Sequence, residues 1–534
     1  MSQSDQFNGR LGLIFASIGA AIGTGNIWRF PRMVGANGGG TFLIPWLIFL
    51  FAWSIPLVIA EYAMGKRSRT GTIGTFRIFA GRRFAWMGLW TAWISTAIGF
   101  YYAVVSGWTL KYFQLGITGA LNGEDVDTTE VWNAFLQSPG QVIFFQFVVI
   151  LLVLGTIWKG AKAIEKVNFY LMISLFALLF LTLFLSLWMD MSDGSLDGAL
   201  FMFTVDFDML MEPEVWINGL SQSAWSCSAG MGMCITYAVY MSKDEDTVLN
   251  AFTMGLANNS ISIIAGLAVL SAIFAVNPDP LATVTGGSSA ITFLALPEVF
   301  AQAPGGAIGP LIMTAMFFLA LSFAALTSMI STVELCVRNF VDHGYERERS
   351  VLITGLALFI FGLPSAILWI KLDSSGVAFP EFLEVQDHIW GYGLMFSGLF
   401  IAFSIWKYGY IKWRAAVDEG TAPPGFAGYL GLGVSAFRDD FINTGDNDIE
   451  VGRWWDVLIY IAFPVLFFIL MASYFSDMIA NTPNVWDPSN PKGLSIILLF
   501  WGVVAALFIG LNKKLIERPL YRNVPEGADA DISQ

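Results

Sequence analysis

Gly19-Ala20-Ala21-Ile22-Gly23-Thr24-Gly25-Asn26-Ile27-Trp28-Arg29-Phe30-Pro31 lies in an apolar run that begins near Leu11. A soluble helix of that length would not carry Gly23, Gly25, Asn26, Arg29 and Pro31 so close together. Glycine weakens a helix, and Gly23-Thr24-Gly25 invites a break. Inside a membrane a broken helix is tolerated only where the freed backbone groups are buried in protein or line a cavity. Freed carbonyls, joined by the Asn26 amide oxygen, suit a hard cation. The N–H groups that open the outer half-helix suit a carboxylate. A kinked structural helix is the plain alternative. Arg29 at membrane depth weighs against it, because an intramembrane charge is a functional-site hypothesis by default.

The chain around this stretch is that of a polytopic helical membrane protein. Of 534 residues, 56% are hydrophobic and only 13% charged, and the mean hydropathy is +0.63. Met1 to Arg10 is polar and lacks a basic n-region, so no cleaved signal peptide is expected. Cys227, Cys234 and Cys336 fall in apolar helices and read as packing residues. A net charge of −13 does not argue for nucleic-acid binding.

Apolar spans of membrane length recur at 11–36, 41–64, 87–115, 141–158, 166–188, 214–240, 248–276, 307–340, 351–371, 389–409, 454–475 and 494–512. Twelve crossings put both termini on one side. Arg10, Lys66 to Arg83, Lys159 to Lys166, Lys243, Arg338 to Arg349, Lys407 to Arg453 and Lys513 to Arg522 together hold 23 of the 28 basic residues. The loops 116–140, 189–213 and 277–306 hold none and carry acids such as Glu124, Asp125, Asp206 and Glu212. The positive-inside rule then places both termini in the cytoplasm of a multi-pass cell-membrane protein. Residues 277–306 have a helix-like centre at Ile291 to Ala301 and read either as a cap on an outer vestibule or as a surface loop. Residues 410–453 read as a long cytoplasmic loop and 513–534 as a cytoplasmic tail.

A second interruption decides more than the first alone. Gln222-Ser223-Ala224-Trp225-Ser226-Cys227-Ser228-Ala229-Gly230-Met231-Gly232 breaks the sixth span as the opening stretch breaks the first. Breaks at the starts of two five-helix halves point to an inverted repeat with a site at its midplane. Other polar residues fall at membrane depth: Asn258, Asn259 and Ser262 in the seventh span, Thr327, Ser328, Ser331, Thr332 and Glu334 in the eighth, Tyr101 and Tyr102 in the third. Each hydroxyl taken singly reads as helix-packing glue. Together they form an oxygen-rich set suited to sodium rather than to a transition metal. Glu61 reads as a tie to freed backbone donors rather than a ligand. Glu334 stays open between a structural hydrogen bond and a titrating group.

Here a resemblance enters. Asn8-Gly9-Arg10-Leu11-Gly12, Gly23 to Pro31, Asn37-Gly38-Gly39-Gly40-Thr41-Phe42, Ile59-Ala60-Glu61, Ala63-Met64-Gly65, Tyr101-Tyr102 and Ala324-Ala325-Leu326-Thr327-Ser328 resemble the neurotransmitter:sodium symporters, and bacterial members in particular. The likeness covers residues 7–512. It implies an all-α leucine-transporter fold in one transmembrane domain, 1–512. Repeat one would span 11–188 and repeat two 214–409, with extra helices at 454–475 and 494–512.

The resemblance also implies a ligand set. The first sodium would meet the Ala21 carbonyl, Asn26, Ser226, Asn258 and the substrate carboxylate. The second would meet carbonyls of Gly19, Ile22 and Ala324 and hydroxyls of Thr327 and Ser328. The substrate carboxylate would face the N–H groups of Thr24 and Gly25 and the Tyr102 hydroxyl. Its amine would face carbonyls of Ala21, Trp225 and Ser226, with Ser228. Ile98, Tyr102, Trp225, Ser228, Met231, Ser328 and Thr332 would form the side-chain pocket. Arg29 and Asp387 would close an outer gate, and Asp342 belongs to an inner one. A chloride would be expected at Trp46, Gln222, Ser226, Asn258 and Ser262, although family members that bind it carry tyrosine where Trp46 stands. Ser4 and Phe7 replace an arginine and a tryptophan of the family's inner gate, and Trp225 a phenylalanine lid.

The implied function is sodium-coupled import of a neutral amino acid by alternating access. The monoamine carriers place an aspartate where Gly23 stands, which favours a ligand with its own carboxylate. A non-transporting sensor, a channel, or a carrier of another zwitterion or amine is the competing reading. No catalytic residue is expected. The expected partners are a small neutral amino acid, two sodium ions and the lipid bilayer, with the chain a monomer or weak dimer.

Overall fold

The computed structural model describes residues 7, 10–123, 126–193, 195–242, 244–285, 291–373, 376–444 and 448–517. Ser4, Asn8, Gly9, Glu124, Asp125, Lys243 and the tail from Arg518 lie outside the described residues.

Among the described residues, ten helices are long and apolar enough to cross a membrane. They are Gly40–Ser68, Arg82–Thr118, Pro139–Ile157, Ala161–Asp190, Thr247–Val276, Ile308–Asp342, Arg347–Ile367, Glu381–Asp418, Arg453–Asn481 and Leu494–Leu515. Two further segments are broken. The first runs as Arg10–Ala21 and then, past a gap, Gly25–Arg29 and Phe30–Ala36. The other runs as Pro213–Ser226 and Met233–Ala238. Counted in chain order, this is consistent with twelve crossings, helix one to helix twelve, with helices one and six broken where the glycines stand.

Burial ranks the helices. Of the most apolar window, 83% is buried in helix three but only 28% in helix five. Helix three therefore sits at the centre, against helix eight along much of its length, and helix eight also meets helices one and five. Helix five turns Tyr170, Phe180, Phe184 and Trp188 outward, an apolar face that suits lipid.

Short elements close the two ends. At the acidic end, Ile291–Ala295 continues into Leu296–Ala301. Phe293 there is fully buried. Its ring centroid lies 4.9 Å from those of both Trp132 and Tyr112 and 5.4 Å from that of Trp28 on helix one. Of the two readings of this segment, the structure shows a wedge packed over helices one, three and eight.

Two expectations need correction. The described residues of 410–453 are largely helical and do not form a plain loop. Helix ten continues to Asp418, and Phe426–Gly428, Tyr429–Gly433, Val434–Phe437 and Arg438–Ile442 form a helical lobe. The lobe is held because Phe437 stacks on Trp455 at 5.9 Å and Arg438 pairs with Asp456. Residues 513–517, expected in the tail, extend helix twelve to Glu517. Among the described residues the fold is otherwise all-α as expected, with one short hairpin between helices nine and ten: Ile370–Leu372 pairs antiparallel with Ala378–Pro380, and Trp132 Nε1 donates to the Ala378 carbonyl at 2.8 Å.

Candidate functional site

The break in helix one is short. Ile22 N still donates to Ile18 O at 2.8 Å, and the chain then turns. Asn26 Oδ1 accepts Gly23 N–H at 3.0 Å, so a side chain of the outer half-helix satisfies a donor freed in the gap. Thr24 N–H, a donor with no helical partner behind it, donates to the Tyr102 hydroxyl at 3.1 Å. The Thr24 hydroxyl donates to the same oxygen at 3.2 Å. The freed carbonyls point the other way. Ala20 O accepts Ser228 Oγ at 3.2 Å, and Ile22 O accepts Thr327 Oγ1 at 3.4 Å.

Helix six breaks differently, through left-handed backbone. Ser228, Gly230 and Gly232 have φ of 51°, 89° and 78°. A Cβ on Gly230 would approach Gly398 Cα to 2.9 Å, so glycine is required there twice over. Ser228 has no such licence. A serine held at positive φ is a strained position of the kind that clusters at functional sites. The freed donors are met from helix two. Glu61 Oε1 accepts Gly230 N–H at 2.6 Å, and Oε2 lies 3.4 Å from Ile235 N. This is the tie read for Glu61 from its depth alone. Ser95 Oγ donates to the Met231 carbonyl at 2.7 Å.

The two breaks lie side by side, and two oxygen sets form between them and the flanking helices. Asn26 Nδ2 donates to Asn258 Oδ1 and Ser262 Oγ, both at 2.8 Å, and to Ser226 Oγ at 3.3 Å. Asn258 Nδ2 donates to Ser226 Oγ at 2.8 Å. These four residues, expected from three different helices, therefore meet. An amide's oxygen and nitrogen are nearly isosteric, so rotation about its last bond would turn Asn26 Oδ1 towards the same partners. In the second set, Thr327 Oγ1 lies 3.1 Å from Ala324 O and 3.4 Å from Ile22 O. A Cβ on Gly19 would stand 3.3 Å from Thr327 Cβ. Converging carbonyl and hydroxyl oxygens fit a hard cation.

Gly25, Tyr102, Trp225 and Ser328 are only part-buried while their neighbours are buried. A Cβ on Gly25 would meet nothing within 4 Å. By contrast a Cβ on Gly23 would come within 3.1 Å of the Tyr102 hydroxyl and 3.3 Å of Ser328 Oγ. Open space therefore lies beside the start of the outer half-helix. Thr332 Oγ1 turns back to the Ser328 carbonyl at 3.0 Å, and Ile98 and Met231 are buried.

The gate residues are placed apart from the pairing expected of them. Arg29 donates to Ser221 Oγ at 3.2 Å, and Asp387 accepts the Tyr101 hydroxyl at 2.7 Å. No ion pair joins Arg29 to Asp387 among the described residues. At the basic end, Asp342 pairs with Arg338 and accepts Gly71 N–H. Phe7 N donates to Tyr240 O at 3.2 Å, and its ring meets Tyr237 and Tyr240 edge-on at 6.0 and 5.7 Å. Sequence reasoning missed what Tyr240 does next. Its hydroxyl donates to Glu334, which also pairs with Arg347, and Arg347 donates to the Ile157 carbonyl that ends helix four. Of the two readings of Glu334, the structure shows the hydrogen-bonded, ion-paired one.

Of the anion set, Ser226, Asn258 and Ser262 share the Asn26 amide. Trp46 packs against Phe30 with the two rings tilted and their centroids 4.6 Å apart, its buried indole N–H is unpartnered, and Gln222 Oε1 is likewise buried without a donor.

A family model described as the sodium:neurotransmitter symporter family matches residues 4–138 and 134–427. An uncharacterized sodium-dependent transporter of Bacillus subtilis, YhdH, is 31% identical over 75% of this chain and 88% of its own. The sodium-dependent neutral amino acid transporter SLC6A17 of Rattus norvegicus is 30% identical over 50% of this chain and 40% of its own. The crystal structure of MhsT in complex with L-phenylalanine matches with a TM-score of 0.71 and 28% identity, over 88% of this chain and 99% of that one.

Proposed function

The chain belongs to the sodium:neurotransmitter symporter family of sodium-dependent transporters, and from that premise we propose that it imports a neutral α-amino acid together with two sodium ions. The observation that carries this reading is the meeting of two helix breaks around open space, with donors on one side and oxygens on the other. The Thr24 N–H and the Tyr102 hydroxyl already bond each other. A substrate carboxylate would take their place as partner to both, as it would for Gly25 N–H. The amine would lie towards the carbonyls of Ala21, Trp225 and Ser226 and the Ser228 hydroxyl. Ile98, Trp225 and Met231 would receive an apolar side chain, with Ser228, Ser328 and Thr332 at its polar edge.

Coupling follows from charge. A sodium at Ala21, Asn26, Ser226 and Asn258 would count the substrate carboxylate in its shell, so each binds better with the other present. The second sodium, at Gly19, Ile22, Ala324, Thr327 and Ser328, would join helix one to helix eight. A substrate that brings its own carboxylate suits a helix one that has Gly23 and no acid at that point. The names of SLC6A17 and of the phenylalanine-bound MhsT complex support the same substrate class. Both termini would face the cytoplasm, where the basic residues lie.

The test is uptake by the full chain in proteoliposomes, screened over the twenty amino acids and common amines. Neutral amino acids should accumulate against a gradient when sodium is outside and stop when potassium replaces it. Uptake at full rate in potassium, or tight binding of amines with none of amino acids, would overturn the reading. Equilibration without accumulation would point to a channel instead.

A further inference from the structure

Away from the midplane, a cavity of about 350 Å³ opens between helices three, eight, nine and twelve. Ala92, Trp93 and Phe100 wall it from helix three, Cys336 from helix eight, Ala357 from helix nine and Phe508 from helix twelve. Two further wall residues, Ile353 and Phe361, are 36% and 53% exposed. They belong to the outward face of a membrane-spanning helix, so the mouth of the cavity opens on lipid. Its inner end reaches Asn339, Tyr345, Leu89 and Leu515, at the basic ends of the same helices. Asn512 fastens two of those ends, accepting Trp86 N–H at 2.9 Å and donating to the Arg82 carbonyl at 3.0 Å. Arg83, Arg349 and Lys514 are exposed there, against Glu346 and Glu348.

We propose that this cavity seats one acyl chain of an anionic phospholipid from the leaflet on the basic side. A space of this size with apolar walls stays dry, and empty it forfeits the dispersion contacts of its lining. At that depth the medium at its mouth is acyl chain, which fills an irregular apolar slot without stranding a polar group. The excess of cations at the rim favours a phosphate that carries net charge. The seat touches the transport machinery from behind. Helices three and eight turn Ile98, Tyr102, Ser328 and Thr332 to the midplane and Phe100 and Cys336 to the cavity. An occupant therefore stiffens the helix pair that the proposed ligands share. The inference needs the membrane-spanning fold and the placement of the basic end, and is independent of which solute is carried.

Contact quenching tests it. The full chain is reconstituted in phosphatidylethanolamine vesicles containing phosphatidylglycerol with brominated acyl chains. The contribution of Trp93 to fluorescence is read as the difference between wild type and Trp93→Phe. It should be quenched in the wild type, less so in Ala357→Leu, and least in Ala357→Phe, which fills the slot. Ala357→Leu alone carries the comparison if the larger residue prevents folding. Quenching that is absent, or equal in all three, would overturn the seat. Equal quenching with the bromine moved to phosphatidylethanolamine would overturn the preference for an anionic lipid. An unquenched Trp93 in a chain that cross-links to itself through helix nine would show a second copy filling the cavity instead.

Discussion

Glu61, on the C-terminal half of helix two, accepts the Gly230 N–H in the break of helix six at 2.6 Å. The break is thus anchored on a neighbouring helix and does not hang free. A carboxylate on a backbone donor is a charge-assisted bond, worth about 1.5–3 kcal/mol where a neutral one is worth about half that. Glu61→Leu should therefore lower the unfolding temperature in detergent and abolish uptake. Glu61→Gln, which keeps an acceptor oxygen, should fall between. Equal stability of the leucine variant and the wild type would show that the break holds its own shape.

Thr327 stands between helices one and eight. Its hydroxyl lies 3.4 Å from the Ile22 carbonyl and 3.1 Å from that of Ala324. Thr327→Val keeps the shape and removes the oxygen. The sodium concentration for half-maximal uptake should rise about ten-fold, the equivalent of about 1.4 kcal/mol, with little change in unfolding temperature. An unchanged sodium dependence would leave Thr327 as packing between the helices.

The proposed outer gate requires an exchange of partners. Arg29 now bonds Ser221, and Asp387 bonds Tyr101. Closing would bring the two charges together, and a desolvated pair contributes specificity more than stability. Asp387→Asn leaves Tyr101 an acceptor but removes the charge. Uptake should fall about ten-fold, again about 1.4 kcal/mol, while sodium-dependent protection against unfolding persists. Unchanged uptake would reject the gate.

The two breaks were legible because glycine and polar residues are conspicuous in an apolar run. Glu61 was legible because a carboxylate at membrane depth must find donors. The left-handed backbone at Ser228 was not, since nothing in a serine announces a positive φ. The plug at Phe293 was hidden in a chain with 15% aromatic residues, where buried and lipid-facing rings look alike. Pro423 and Pro424 interrupt the sequence of 410–453. The prolines mark only the turn before a lobe whose stability comes from Phe437, Trp455 and the Arg438–Asp456 pair. The Glu334–Arg347 pair joins helix eight to the start of helix nine, and only the turn between those helices brings the two side chains together.

A chloride dependence is proposed as well, and it would rest on Ser262. Its Oγ accepts from the Asn26 amide at 2.8 Å, one bond away from Asn258 and Ser226. Two sodium ions carried with a zwitterion would leave positive charge in a site of low dielectric, and an anion nearby would offset it. Ser226, Asn258 and Ser262 gather there, and Gln222 lies on the same helix as Ser226. Trp46 adds a buried indole N–H that has no acceptor, the kind of orphaned donor an anion would satisfy. Replacing external chloride with gluconate should lower sodium-driven uptake several-fold. Ser262→Glu, which supplies a fixed negative charge, should make uptake equal in both salts. Equal uptake by the wild type in both salts would mean that the excess charge is balanced elsewhere, with Glu61 the nearest buried carboxylate to the break in helix six.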